Sequence, residues 1–279
     1  MPETINGYQI VNKVAETNTA EIYYALRLAD RGRGGEYALK VLRPEFARDA
    51  EQRGYLENEF RICQALEHPN LLRVYGVELG GGRPFLVMEY IQGESLRDIL
   101  ARGVPPVRQA IVWLAQVADG LVYLHDRGFL HRDVKPQNIV VGKDEIVRVI
   151  DFALAHAFDG SFGRYLLRRL TERRRPGTWS YMAPEQIRNR RLTGQTDVYG
   201  LGATAFEVLT GRVPFSGATP QSLMEQHLHA TVPPVRLHRP EVPMEVDELV
   251  RGMMAKNPLD RPMGMGYVSM KLRKAAEAL

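Results

Sequence analysis

The feature that most restricts the fold is a change of character at about Ile91. Before it, three segments, Tyr8 to Val14, Glu21 to Leu28 and Glu36 to Leu42, are rich in β-branched and aromatic residues and predict strands, with a turn at Asp30-Arg-Gly-Arg-Gly-Gly. A helical pattern from about Asp49 to Leu66 spaces Leu56, Phe60, Cys63 and Leu66 three to four residues apart, and His68-Pro69-Asn70 ends it. Two more predicted strands follow, Leu71 to Leu79 and Phe85 to Tyr90, joined by Gly80-Gly-Gly-Arg. After Ile91 the chain reads as long helices with short links: Ile111, Leu114, Ala115, Ala118, Leu121 and Leu124 form one stripe, and Val198, Leu201, Ala205 and Leu209 mark a more buried helix. Strands first and helices afterwards predict an α+β protein: a small antiparallel-sheet lobe with one helix at about 1–90, and a larger helical lobe at about 91–279. A ligand is expected in a cleft between two such lobes.

Both lobes fit one domain of 279 residues. The net charge of +4 is too small to imply nucleic-acid binding. Cys63 is the one cysteine, so no intrachain disulfide can form and the cytoplasm is the expected location. The first residues lack a basic region followed by an apolar run, and no apolar stretch of about 18 residues occurs, which predicts a chain without an export signal or a membrane segment. A longer parent protein stays open.

The chemistry concentrates in His131-Arg-Asp-Val-Lys-Pro-Gln-Asn138, followed by Asp151-Phe-Ala and by Ala183-Pro-Glu185. Two carboxylates, a lysine and an amide carbonyl sit on loops beside the apolar strands Ile139-Val-Val and Val147-Arg-Val-Ile. Phosphoryl transfer needs this mixture: hard oxygen ligands for a divalent cation, a positive charge for the migrating group, and a carboxylate for the attacking hydroxyl. A single Asp-Arg pair would read as ordinary surface, but the ordered set does not.

From about Tyr8 to Leu272 these motifs make the chain resemble the eukaryotic-like serine/threonine protein kinases of bacteria. The resemblance implies ATP- and Mg²⁺-dependent transfer of the γ-phosphate to Ser or Thr hydroxyls of protein substrates, with autophosphorylation and Mn²⁺ as the alternative cation. By the same resemblance, Lys40 holds the α- and β-phosphates and Glu59 pairs with it, with Glu57 as the nearby competitor. Asp133 is the catalytic base, Lys135 neutralises the γ-phosphate, and Asn138 and Asp151 hold the metal. Lys135-Pro136 and Gly177-Thr178 match the serine/threonine branch, with Thr178 shaping the substrate pocket. Glu185 is expected to pair with Arg261, and Asp197 to support the loop backbone. Met88, Glu89 and Ile91 match the adenine hinge, and Ile22, Ala38, Leu96 and Val140 the residues that sandwich the ring; each is also a plain core position. Relatives of this kind pair through their first lobes, which leaves a homodimer for trans-autophosphorylation open.

Three departures stand out. Ala15, Thr17 and Ala20 occupy the three glycine positions of the phosphate-covering loop, where missing side chains would let backbone N–H groups approach phosphate. Ala153 replaces the usual glycine after Asp151-Phe152, which makes any positive-φ conformation there more costly by about 1 kcal/mol. The segment from Asp151 to Glu185 carries Arg164, Arg168, Arg169, Arg173, Arg174 and Arg175 around Thr171. It reads as an activation loop whose phosphorylated Thr171 or Ser161 meets arginines including Arg132, as a solvated basic loop, or as a recruiter of acidic partners. The missing glycines keep a pseudokinase, a nucleotide-binding scaffold with little transfer, as the alternative. A small-molecule phosphotransferase fits less well, because Ala183-Pro-Glu185, Thr178 and Arg261 belong to a peptide-binding segment. His227 and His229 lie two apart on a helix and point to different faces, against a metal site.

Overall fold

The computed structural model of the chain describes residues 3–30, 35–158 and 178–279. Two compact units form, Met1–Gln92 with Asp151–Ala155, and Gly93–Ile150 with His156–Leu279. Among the described residues no helix is long and apolar enough to cross a membrane.

The first unit is a six-stranded antiparallel sheet of β1 (Thr4–Ile5), β2 (Tyr8–Glu16), β3 (Ala20–Arg27), β4 (Glu36–Leu42), β5 (Val74–Glu78) and β6 (Phe85–Glu89), in the order β1-β2-β3-β4-β6-β5. Side chains alternate across a strand, so Leu39 and Val41 of β4 join Ile5, Ala25, Phe85 and Val87 in one buried cluster, while Ala38 and Lys40 face the other way. β1 has no signature in the sequence, because two residues are too few to show alternation. Helix α1 (Ala50–Cys63) starts where the Asp49 carboxylate accepts the N–H groups of Glu51 and Gln52 at 2.8 and 3.1 Å. Its buried stripe is Tyr55, Leu56, Glu59, Ile62 and Cys63. The predicted helix ran on to Leu66; instead the chain closes in tighter turns, Ala65 N–H to Ile62 O at 3.0 Å and Leu66 N–H to Cys63 O at 3.1 Å. Cys63 is itself a buried packing residue.

The second unit holds two small sheets: β7 (Gly93–Ser95), β9 (Ile139–Gly142) and β10 (Val147–Val149) in the order β10-β9-β7, and β8 (Phe129–Leu130) with β11 (His156–Ala157). Around them stand α2 (Leu96–Arg102), α3 (Val107–Asp126), α4 (Pro184–Ile187), α5 (Gly194–Thr210), α6 (Pro220–His229), α7 (Met244–Met253) and α8 (Met265–Glu277). Helix α5 is buried on every side from Thr196 to Leu209, so it is the axis on which the unit is built. On α6, His227 is fully buried with Nδ1 2.8 Å from the Tyr199 hydroxyl, and burial drives its pKa down to about 3. His229 lies on the exposed side, 3.7 Å from Glu225. The two imidazoles therefore have no common surroundings.

Candidate active site

In the first unit one ammonium group joins two carboxylates. Lys40, on β4, donates to Glu59 Oε2 at 2.7 Å and to Asp151 Oδ1 at 3.0 Å. Its side chain is 13% exposed, that of Glu59 1% and that of Asp151 35%, so only the Asp151 end keeps appreciable access to solvent. Burial disfavours the charge on Lys40, but the Asp151 and Glu59 carboxylates outweigh it and hold the pKa above the ordinary lysine value. Glu59 sits within the buried stripe of α1, whereas its competitor Glu57 is exposed. Glu59 Oε1 also accepts the Phe152 N–H at 3.1 Å. Asp151 has φ of 67° in a non-glycine residue, a conformation held by its surroundings at a cost of about 1 kcal/mol or more. Ala153 is not among the positive-φ residues, so in this conformation the alanine adds no backbone strain.

The turn between β2 and β3 answers the question of the missing glycines. Thr17 Oγ1 accepts the N–H of Ala20 at 2.9 Å and of Thr19 at 3.3 Å, and the Thr17 N–H bonds Ala20 O at 2.8 Å. The threonine hydroxyl thus closes the turn on itself, and three backbone N–H groups at the tip already have acceptors within it. Thr17 and Ala15 are exposed, while Ala20 is buried. Replacing Thr17 with glycine removes the acceptor from two of those N–H groups. We expect the KM for ATP to fall about fivefold in T17G, the worth of one net hydrogen bond; a rise in steady-state KM would mean that the closed turn favours nucleotide.

Of the adenine candidates in this unit, Ala38 and Met88 are cross-strand partners on β4 and β6, and Ile22 stands opposite Lys40 on β3. The Glu89 N–H bonds Arg73 O at 3.0 Å, and Glu89 stands opposite Tyr37 at the end of the β4–β6 ladder. Tyr90 stacks on Tyr24, with ring centroids 4.3 Å apart, and Ile91 is half-buried in the link that follows. In the second unit Leu96 is fully buried, and Val140 is the cross-strand partner of its neighbour Ser95.

The second unit carries the loop His131–Asn138. Asp197, near the start of α5 and 1% exposed, accepts the backbone N–H of His131 at 2.8 Å and of Arg132 at 2.7 Å, with His125 Nε2 also at 2.8 Å. Burial works against its charge, yet the bonds from His125 and the His131 amide outweigh that and hold the carboxyl below the usual range. Arg132 is bent to φ of 69° above this carboxylate, and burial pulls its pKa down to about 10. Asp133 Oδ2 accepts Lys135 Nζ at 2.6 Å and Asn138 Nδ2 at 3.2 Å, and that same Nδ2 bonds Asp133 O at 2.9 Å. Both of these side-chain bonds of Asn138 use Nδ2, so its side-chain oxygen Oδ1 is the atom suited to a cation. Gly200 allows the close approach of α5: a Cβ there would stand 3.3 Å from Val134 Cβ.

Glu185 and Arg261 form a buried two-pronged pair, with Nη1–Oε1 2.7 Å and Nη2–Oε2 2.8 Å. Thr196 Oγ1 also bonds Glu185 at 3.0 Å, and Arg261 reaches Gln195 O at 2.6 Å and Ala255 O at 2.9 Å. Two residues were missed by reading motifs alone. Gln186, next to Glu185, donates from Nε2 to Arg132 O at 3.0 Å, and Asn58, next to Glu59, bonds the chain after Asp151. Adjacency to a motif residue was the only signal available for either. Thr178 begins a 3-10 turn to Tyr181. Ser161 and Thr171 lie outside the described residues, as do the arginines around Thr171.

The protein kinase domain profile matches residues 8–272. The chain belongs to the protein kinase domain family. Its curated relatives include the serine/threonine-protein kinase PknB of Mycobacterium leprae, 36% identical over 81% of this chain and 36% of that protein. PknL of Mycobacterium tuberculosis is 35% identical over 98% of this chain and 66% of that protein, and PrkC of Bacillus subtilis 31% over 91% and 38%. The chain thus spans about a third to two-thirds of the length of these curated relatives. The crystal structure of the Mycobacterium tuberculosis PknI kinase domain superposes with a TM-score of 0.72 at 26% identity, covering 98% of each chain. The kinase domain described here is of the serine/threonine type with the α+β kinase fold, and the relatives give the pseudokinase alternative no support.

Membership implies ATP, a divalent metal and protein substrates. The residue types fit that demand: the carboxylate of Asp151 and the side-chain amide oxygen of Asn138 are hard donors, suited to a hard divalent cation rather than to a thiolate or imidazole metal. Lys40, fixed between two carboxylates, is a positive charge of the kind that polyphosphate needs.

Proposed function

We propose that this kinase domain transfers the γ-phosphate of ATP, with Mg²⁺ and with Mn²⁺ as the substitute, to Ser or Thr hydroxyls of proteins, including a second copy of itself. The observation that carries the reading is Lys40 held between Glu59 and Asp151, an arrangement that fixes a cation and a metal-type carboxylate side by side. The bound Mg·ATP supplies the activated phosphoryl group and the charge neutralisation that makes it transferable. Lys40 binds the α- and β-phosphates, and Glu59 keeps its ammonium from turning away. Asp151 and Asn138 are the residues that would hold the cation, through oxygen.

Asp133 orients the substrate hydroxyl and takes its proton at a carboxylate oxygen. Lys135, 2.6 Å from Asp133 Oδ2, places a second positive charge where the transferred group develops negative charge. Ile22, Ala38 and Met88 would pack on the adenine from the first unit, with hinge backbone at Glu89 and Ile91 binding its edge, and Leu96 and Val140 are the candidates that the second unit offers. Thr178 shapes the acceptor pocket. A phosphate placed on Thr171 or Ser161 would be met by Arg132, and pairing of two copies would allow that modification in trans. The two units act as a single catalytic domain.

The experiment is a radiolabelled or mass-spectrometric transfer assay with Mg·ATP and a generic basic protein, run on the wild type and on Asp133→Asn. Label that appears in the wild type, on Ser or Thr and on Thr171 or Ser161 of the chain itself, and vanishes in D133N is the expected result. Absence of label from both, with folded protein, would overturn the reading.

A further inference from the structure

Asn58 is not a motif residue, yet it makes contacts that bear on the carboxylate proposed to hold the metal. Its side-chain nitrogen donates to Ala153 O at 3.3 Å and to Ala155 O at 3.1 Å, across 95 and 97 residues of sequence. An amide NH₂ group is a side-chain end that can give two hydrogens to two neutral carbonyls without bringing a charge. Arg61, one turn further along α1, donates to Asn58 Oδ1 at 2.9 Å, and this settles the amide with its nitrogen towards the 151–155 segment.

Consecutive residues of α1 thereby hold one short stretch of chain at three backbone points. Glu59 takes the Phe152 N–H, and Asn58 takes the carbonyls of Ala153 and Ala155. The stretch also closes on itself, Ala155 N–H to Phe152 O at 3.0 Å, and Asp151 enters it at φ of 67°. A non-glycine residue keeps such a conformation only where neighbouring contacts over-determine it. Ala153 is buried, away from positive φ, and its carbonyl is one of the held points.

We propose that Asn58 is a positioning residue: with Arg61 it clamps the 153–155 backbone to α1 and so fixes the direction in which the Asp151 carboxylate points. The metal part of this inference rests on the kinase reading of Asp151. The clamp makes the Lys40, Glu59 and Asp151 group a property of the first unit alone, assembled by α1 without help from a modified loop.

The test compares wild type with Asn58→Leu, which keeps the volume and removes both donors, Asn58→Asp, which sets a carboxylate against two carbonyls, and Arg61→Ala. Hydrogen exchange of the Phe152 and Ala155 amides, thermal melting, and the Mg²⁺ concentration that half-saturates binding of a fluorescent ATP analogue are read for each. In N58L and N58D, exchange at those amides is expected to quicken about tenfold, and the half-saturating Mg²⁺ and kcat to shift by a similar factor against a nearly constant KM for ATP. R61A moves every readout in the same direction by less. Unchanged exchange and unchanged half-saturating Mg²⁺ in folded N58L and N58D would overturn the clamp. Failure of the kinase reading is a different result, since it shows in the wild type as nucleotide binding that ignores Mg²⁺.

Discussion

Lys40→Met lowers phosphoryl transfer by about a thousandfold, or about 4 kcal/mol of transition-state stabilisation, measured as the single-turnover rate with Mg·ATP. The methionine keeps the length of the side chain but not the charge that two carboxylates share at 2.7 and 3.0 Å. Once the ammonium is gone, Glu59 is a buried acid facing Asp151 with no cation between them. It then takes up a proton rather than remain charged, because burial, and next the repulsion from Asp151, already favour its neutral form. That protonation limits the loss of stability, so the melting temperature falls much less than the rate. The double change K40M with Glu59→Gln is expected to melt closer to wild type than K40M alone while staying inactive. A K40M protein that retains a tenth of the wild-type rate would remove Lys40 from the chemistry.

Arg261→Ala has the larger effect on stability. The guanidinium is buried, fully bonded, and placed over the Tyr199 ring at 4.9 Å, and its removal leaves Glu185 as a buried, unpaired carboxylate. Breaking such a pair costs about 3–5 kcal/mol, which in a domain of this size lowers the melting temperature by about 10 °C. Replacing both partners, Arg261→Met with Glu185→Leu, removes the orphan charge and should restore most of that loss. Thermal denaturation of the three proteins decides the matter; a single variant that melts within about 2 °C of wild type would show that the pair is energetically idle.

What could be read in the sequence was whatever depends on neighbours close along the chain. The spacing of Leu56, Phe60, Cys63 and Leu66 from about Asp49 marked α1, although Phe60 is only half-buried and Leu66 lies beyond the helix, and Val198, Leu201, Ala205 and Leu209 marked α5. The candidate residues Asp133, Lys135, Asn138 and Asp151 were legible because their ordered motifs resemble the protein kinase signature, on residue types that suit phosphate, cation and hydroxyl chemistry. Gln186 and Asn58 could not be found that way, because their bonds run to Arg132 and to Ala153 across 54 and 95 residues.

Tertiary structure alone decided three things. It set the carboxylate of Glu59, already the choice from the sequence, against Lys40 and left Glu57 on another, exposed face of α1. It bent Asp151 and Arg132 to positive φ, a conformation that Asp tolerates better than Arg and that bonds from α1 and Asp197 hold in place. It also turned the Thr17 hydroxyl inward. A side chain standing at a glycine position of the phosphate-covering loop fills its bonds with the nearest backbone, since a tight turn offers acceptors and donors sooner than any ligand can. Local sequence sets which groups are present and which element carries them; the partner each group meets depends on packing between segments far apart in the chain.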